Sequence, residues 1–216
     1  MKKYKSYAVI GLGRFGTAVA KELAKGGADV LAIDINEENV SDVAEYVTHA
    51  VKADITDADT MKTLGIGNVD TVIVAVGRSM EASILATITA KELGVPYVIT
   101  KAQDEMHSKI LTKVGADRVI IPEKESGIRI ARTLNNGNCL DFIELSEHVS
   151  MVEIPVRQEW VGKNLRELDF RRRYKVNVIA YEAKEKELIV NIPPELALEQ
   201  GTIWITGMVE DVAKVM

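Results

Sequence analysis

Three glycines, Gly11, Gly13 and Gly16, stand in the spacing G-x-G-x-x-G within residues 9–16, VIGLGRFG. The pattern follows an apolar run and opens an amphipathic one, which makes it chemistry for a phosphate. The first glycine permits a tight turn, the second lets a pyrophosphate approach the backbone, and the third lets helix and strand pack closely. The N–H groups at the start of the helix then face the anion. Asp34 follows 18 residues after Gly16, at the end of the next apolar run, where a carboxylate can accept hydrogen bonds from a ribose. An acid at that position disfavours a 2′-phosphate and therefore NADP. Arg14, between the second and third glycines, is the odd residue. A cation in the first turn of a helix faces the positive end of the helix dipole. It is either solvated there or compensated by something bound.

The elements that must position these residues can be read from periodicity. Apolar strands alternate with helical patterns from residue 7 to residue 121. YAVIGL, DVLAIDIN, AVKAD, TVIVAV, YVITKA and RVIIP read as six strands. Residues 14–26, 37–46, 57–64, 79–93 and 105–114 read as the helices between them. TVIVAV is unbroken and β-branched, as expected for a strand buried on both faces. The β-α-β-α order predicts an α/β fold with a doubly wound, parallel, Rossmann-like sheet. A helix near 123–136, opened by Pro122 and closed by Asn135-Asn136-Gly137-Asn138, crosses to a second domain. The boundary is expected there, with a nucleotide-binding domain over 1–136 and a small α+β domain over 137–216. In the latter, DFIEL, MVEIPV, VNVIAY, LIVNI and IWIT read as short strands, 163–168 and 210–216 as helical pieces, and EAKEKE as a hairpin tip.

In such sheets ligands sit at the carboxyl ends of the strands. The candidate nucleotide-binding residues are therefore Gly11, Gly13, Arg14, Phe15 and Gly16 in the first turn, then Asp34, Asn36, Asp54, Ala75, Gly77, Lys101 and Glu123 at or near later strand ends. Asp54 is suited to an adenine edge and Lys101 to a phosphate. The glycines alone do not separate a dinucleotide from a mononucleotide.

Other classes recede. A net charge of −5 does not suit nucleic acid. One cysteine, Cys139, excludes an intramolecular disulfide framework and fits a reducing cytosol, where it reads as a small packed hydrophobe. No signal peptide is visible, and no apolar run approaches the ~20 residues of a membrane span, so work at a membrane would require recruitment by a partner. The three histidines, His49, His107 and His148, read as surface or cap residues without a catalytic carboxylate beside them. No metal spacing, Walker lysine or nucleophile elbow is present. The residues describe a nucleotide site without an evident reaction. The alternative is an NAD(H)-binding oxidoreductase or redox sensor.

AVIGLGRFG, LAIDINEENV, THAVKADITD, VIVAVG and KELGVPYVITKAQDEMHSKILTKVGADRVIIPEKESG, with the small C-terminal domain, resemble the cytosolic regulatory subunits of bacterial Ktr/Trk potassium uptake systems. These are the RCK proteins, regulators of potassium conductance, and the Ktr regulators are the most similar. The resemblance covers nearly the whole chain. It implies a non-enzymatic, cytoplasmic subunit, attached to the inner face of the membrane through an integral potassium-translocating partner. It implies homodimers assembled into an octameric ring. It implies ATP or ADP, with NAD(H) also bound in the family, ATP favouring conduction and ADP the inactive state. Arg14 matches the position that reaches the γ-phosphate across the dimer, where a guanidinium can grip the phosphate bidentately. Glu123 matches a paired acidic site for a cation, for which Mg²⁺ or Ca²⁺ suits hard carboxylate oxygens. Leu165, Arg166, Asp169, Arg171, Asn177 and Pro193 match positions that bind cyclic di-AMP in some members. Two nearby positions depart from the family pattern: Arg166 stands where an apolar residue is common, and Lys175 where glycine is common.

Overall fold

The computed structural model describes residues 5–216 except 78, 136–139, 147, 185 and 186. Cys139, the expected helix end at 136–138, the expected boundary between 136 and 137, and two residues of the EAKEKE tip lie outside the described residues. The chain divides into two compact units, Met1–Pro122 and Glu123–Met216.

In the first unit the chain runs β1 (Ser6–Ile10), α1 (Arg14–Lys25), β2 (Asp29–Asp34), α2 (Glu37–Ser41), β3 (His49–Lys52), α3 (Ala58–Thr63), β4 (Thr71–Val74), α4 (Met80–Glu92), β5 (Tyr97–Lys101), α5 (Glu105–Lys113) and β6 (Arg118–Ile120). The strands form one sheet in the order β3-β2-β1-β4-β5-β6. Every neighbouring pair is parallel. The doubly wound fold is thus present, and strand order reverses between β1 and β4. Alternation along β1 sends Ala8 and Ile10 into one core and Val9 into the other. All three are fully buried, as a strand covered by helices on both faces requires.

One helix is shorter than its pattern. The sequence predicts 37–46, but α2 ends at Ser41. Val43, Ala44 and Tyr46 donate instead to Val40, Ser41 and Val43, three residues back. This tighter winding turns Val40 and Val43 into the core without needing another helical turn.

The second unit contains α6 (Pro122–Asn135, all but its first residue), β7 (Asp141–Ser146), β8 (Val149–Pro155), α7 (Leu165–Leu168), α8 (Phe170–Tyr174), β9 (Asn177–Ala183), β10 (Ile189–Val190), β11 (Gly201–Met208) and α9 (Val209–Val212). Its sheet, β10-β9-β11-β8-β7, is antiparallel throughout. Trp160 meets Phe170 edge-on, ring centroids 5.0 Å apart, within a core that includes Val152, Ile154, Ile203 and Ile205. Helix α8 has no counterpart in the sequence reading. It lies between Asp169 and Lys175, both left-handed at φ 43° and 57°. The expected strand LIVNI shrinks to Ile189–Val190 because Asn191, at φ 63°, turns the chain away.

Helix α1 packs closely against the turn after β1. A Cβ on Gly16 would stand 1.8 Å from the Gly11 carbonyl oxygen, whereas a Cβ on Gly13 would meet nothing within 4 Å. Gly16→Ala must push the helix off the strand, and overpacking of this kind costs about 3 kcal/mol or more. Thermal unfolding followed by circular dichroism should show a fall of many degrees for Gly16→Ala and almost none for Gly13→Ala.

Candidate nucleotide site

Gly11 takes φ +91°, and its amide donates to the Ile33 carbonyl at 2.8 Å. That bond folds the turn across the end of β2. Asp34 then fixes the next residue: its Oδ2 accepts from the Leu12 amide at 2.6 Å and its Oδ1 from the Asn36 amide at 2.8 Å. Asn36 accepts in turn from Glu38 N and caps α2.

Helices α2, α3, α4 and α5 each begin with a side-chain cap, from Asn36, Asp57, Ser79 and Asp104. Helix α1 does not. Its N-cap is Gly13, with no side-chain hydrogen bond and no acid in its first turn. The orphan amides of a twelve-residue helix are therefore open beside a glycine that has empty space in front of it. Arg14 is exposed and, among the described residues, makes no ion pair. Phe15 turns inward against the core that holds Val9 and Val30.

Within the first unit, the other strand-end candidates follow the carboxyl ends of β3, β4 and β5. Ala75 is buried beside Gly11 and donates to the Ile10 carbonyl at 2.7 Å, joining the ends of β1 and β4. Gly77 follows, with the Lys101 ammonium 3.7 Å from where its Cβ would stand. Asp54, beyond β3, is exposed. Its carboxyl is held below the usual range by the Thr56 hydroxyl, then by the Thr56 amide. Glu123 is an exposed residue at the start of α6 and belongs to the second unit. Among the described residues no three His, Cys, Asp or Glu side chains cluster so as to hold a metal ion.

His107 corrects the sequence reading. It is fully buried rather than a surface residue, on α5 facing α4. Ser83 on α4 donates its hydroxyl hydrogen to the Met80 carbonyl at 2.8 Å. The 2.8 Å contact between Ser83 Oγ and His107 Nε2 must therefore be donated by the imidazole. The Gln103 amide donates to Nδ1 at 3.2 Å. Together these bonds select the neutral ring with its proton on Nε2. Burial holds the imidazole below its ordinary pKa, with Asp104 opposing. The missed signal was positional. His107 lies one turn before the buried Leu111, on the inner face of α5.

In the second unit, Arg171 Nε donates to Asn177 Oδ1 at 2.7 Å. Arg166 pairs with Glu195 at 2.9 Å, on the segment that carries the exposed Pro193. Leu165 opens α7 and Asp169 follows it. Four of the six positions are thus joined in two pairs, Arg171 to Asn177 and, through the Asp169 amide donating to the Leu165 carbonyl at 3.1 Å, Asp169 to Leu165.

Several known proteins are similar to this chain. The TrkA-N domain family model matches residues 7–122, more than half of the chain. The Ktr system potassium uptake protein C of Bacillus subtilis (strain 168) is 40% identical over 210 residues, 97% of this chain and 95% of that protein. The Ktr system potassium uptake protein A of the same organism is 41% identical over 212 residues, covering 98% and 96%. That of Vibrio alginolyticus is 41% identical over 201 residues, covering 93% and 91%. Among solved structures, the GsuK channel bound to NAD is similar with a TM-score of 0.58 at 23% identity. The match covers 98% of this chain but only 38% of that one, and it shows a common fold.

The buried imidazole has a consequence for stability. Its pKa is lowered in the folded protein, so the unfolded chain takes up a proton that the folded chain refuses. The penalty is absent well above the ordinary imidazole value of about 6.5 and grows as pH falls below it. Urea midpoints measured at about pH 7.5 and about pH 5.5 should fall more for the wild type than for His107→Asn, which has no proton to refuse.

Proposed function

Because the chain belongs to the TrkA-N family and, within it, to the Ktr potassium uptake proteins, we propose that it is a nucleotide-gated regulatory subunit acting on a membrane potassium-translocating partner. The observation that carries this reading is the uncapped start of α1: open amides, open space before Gly13, and the Arg14 cation in a first turn without an acid. A bound phosphate chain supplies the negative charge that both the helix end and Arg14 want. No helix among the described residues is long and apolar enough to cross a membrane, so contact with the bilayer would come through the partner.

On this reading ATP and ADP compete for the crevice between β1 and β4. Asp34 takes ribose hydroxyls with the lone pairs its two amide contacts leave, and Lys101 answers phosphate charge at the far side. Arg14 of one copy grips the γ-phosphate held by a second copy. ADP lacks that group, and a ligand shifts a conformational equilibrium only through contacts that differ between states. NAD(H) fits the same turn. Glu123 offers hard oxygens, but a single carboxylate is a poor cage for a divalent ion. Mg²⁺ or Ca²⁺ would be held by Glu123 from two copies, in a dimer that repeats into an octameric ring, on the cytoplasmic side. Cyclic di-AMP would meet Arg171 in the second unit, together with Leu165, Arg166, Asp169, Asn177 and Pro193.

Two substitutions test the core of this. Gly13→Ala places a methyl in the space reserved for phosphate, so calorimetry should show ADP and ATP binding weakened about tenfold or more with unchanged thermal stability of the nucleotide-free protein. Arg14→Ala should leave ADP affinity nearly as it was and abolish the preference for ATP. Potassium flux in vesicles carrying the membrane subunit should then no longer distinguish the two nucleotides. Undiminished ATP and ADP affinity in Gly13→Ala would remove the assignment.

A further inference from the structure

The nucleotide crevice has two sides. On the β1 side, the turn is fixed by Asp34 and by glycine packing. On the β4–β5 side, the chain leaves the strands as irregular backbone, through Gly77 and through Ala102–Gln103. Ala102 is still held, its amide donating to the Ile120 carbonyl at 2.8 Å, but Gly77 and Gln103 lie past the last ladder pairs of β4 and β5, and other bonds must place them.

The structure supplies a chain of bonds. The Gln103 side-chain amide donates to the Gly77 carbonyl at 2.7 Å, bridging the exits of β4 and β5. A carbonyl only accepts, so this contact fixes which end of the Gln103 amide faces it. The Gln103 backbone amide donates to His107 Nδ1. His107 is anchored through Nε2 to Ser83, and its own amide donates to the Asp104 carboxylate at 2.8 Å. Ser83, Thr87, Thr100 and His107 are all buried, and Thr87 links Ser83 on α4 to Thr100 on β5. The bridge to Gly77 therefore hangs from a sealed polar strip between α4, β5 and α5.

We propose that His107 is a positioning residue of the nucleotide site: acting through Gln103, it sets the Gly77 carbonyl and the adjoining Lys101 at the β4–β5 edge of the crevice. This rests on the nucleotide reading above. The imidazole contributes one acceptor, at Nδ1, on which the bridge depends, and one donor, at Nε2, which belongs to helix packing. Its value to the ligand lies in the acceptor alone.

That division is testable because two amides mimic the two nitrogens separately. In His107→Asn the side-chain oxygen can take the place of Nδ1 and accept from Gln103. In His107→Gln the amide nitrogen can take the place of Nε2 and donate to Ser83, leaving the Gln103 amide unanswered. Both replace a buried ring by a smaller group, and both should lower the melting temperature. Gln103→Ala removes the bridge to Gly77 from an exposed position and should leave stability nearly intact. Titration calorimetry of the full chain with ADP and with NAD⁺ should show binding weakened about tenfold in His107→Gln and in Gln103→Ala, and close to wild type in His107→Asn. If the wild type binds but Gln103→Ala binds equally well, or if affinity in the two His107 variants follows only their loss of stability, His107 is merely structural and the inference is overturned. Failure of the wild type itself to bind either nucleotide would instead overturn the reading on which it rests.

Discussion

The crevice depends on a hydrogen atom standing where every other residue has carbon. Gly16 lets α1 lie so close to the turn after β1 that an added Cβ would sit 1.8 Å from the Gly11 carbonyl oxygen. Gly11 is pressed from the other side: its own Cβ would stand 3.0 Å from the backbone of Ala75 and Val76, at the exit of β4. Two strand ends and a helix start are thus packed at backbone distance. Only this spacing lets the helix begin at once and aim its first amides outward at the strand ends. A helix displaced by one methyl would still form, but its amides would no longer share an edge with Ala75 and Gly77.

Asp34 illustrates how a candidate binding residue can be made rigid by the fold itself. The sequence suggests an acceptor for ribose, and the carboxylate does end β2 facing the crevice edge. In the folded chain it also accepts from Leu12 N and Asn36 N. Each oxygen keeps a further lone pair, so the two tasks are compatible. The tie to Leu12 holds the glycine turn, and the same tie removes rotamer freedom that a ligand would otherwise have to freeze. Asparagine could not substitute, since its amide group would turn a donor toward one of two N–H groups.

Much of the first unit was legible because its two periods differ so sharply. Runs such as TVIVAV admit no helical stripe, and RFGTAVAKELAK admits no alternation, so the β-α order follows directly. The glycine spacing was legible for the same reason that it works: residues without a side chain, at fixed offsets between a strand and a helix, mark places where backbones must approach closely. The second unit was less so. Helix α8 is bounded by Asp169 and Lys175 in the left-handed region, where glycine would have marked the turns and these residues do not. His107 was misread because EMHSKILTK is polar on most of its surface. A polar residue on its inner face is visible only by counting back one turn from Leu111.

The burial of His107 bears on the choice between a switch and an enzyme. An oxidoreductase needs a group that takes up and releases a proton beside the cofactor. His107 is a buried imidazole near the strand-end crevice, and its bonds disqualify it. Nδ1 is filled by a backbone N–H, Nε2 donates to a hydroxyl whose hydrogen is already committed, and the ring is sealed from solvent. Protonating it would break the bond to Gln103 and release the bridge to Gly77. A polar group in this position adds little stability that a well-packed apolar side chain could not match, because the cost of burying it offsets most of the gain from its bonds. What it adds is direction: a fixed donor on one side and a fixed acceptor on the other, reaching a loop that no strand or helix holds. Geometry, rather than proton transfer, is the service such a residue performs, and under the function proposed above it is the service that a site telling one phosphate chain from another would require.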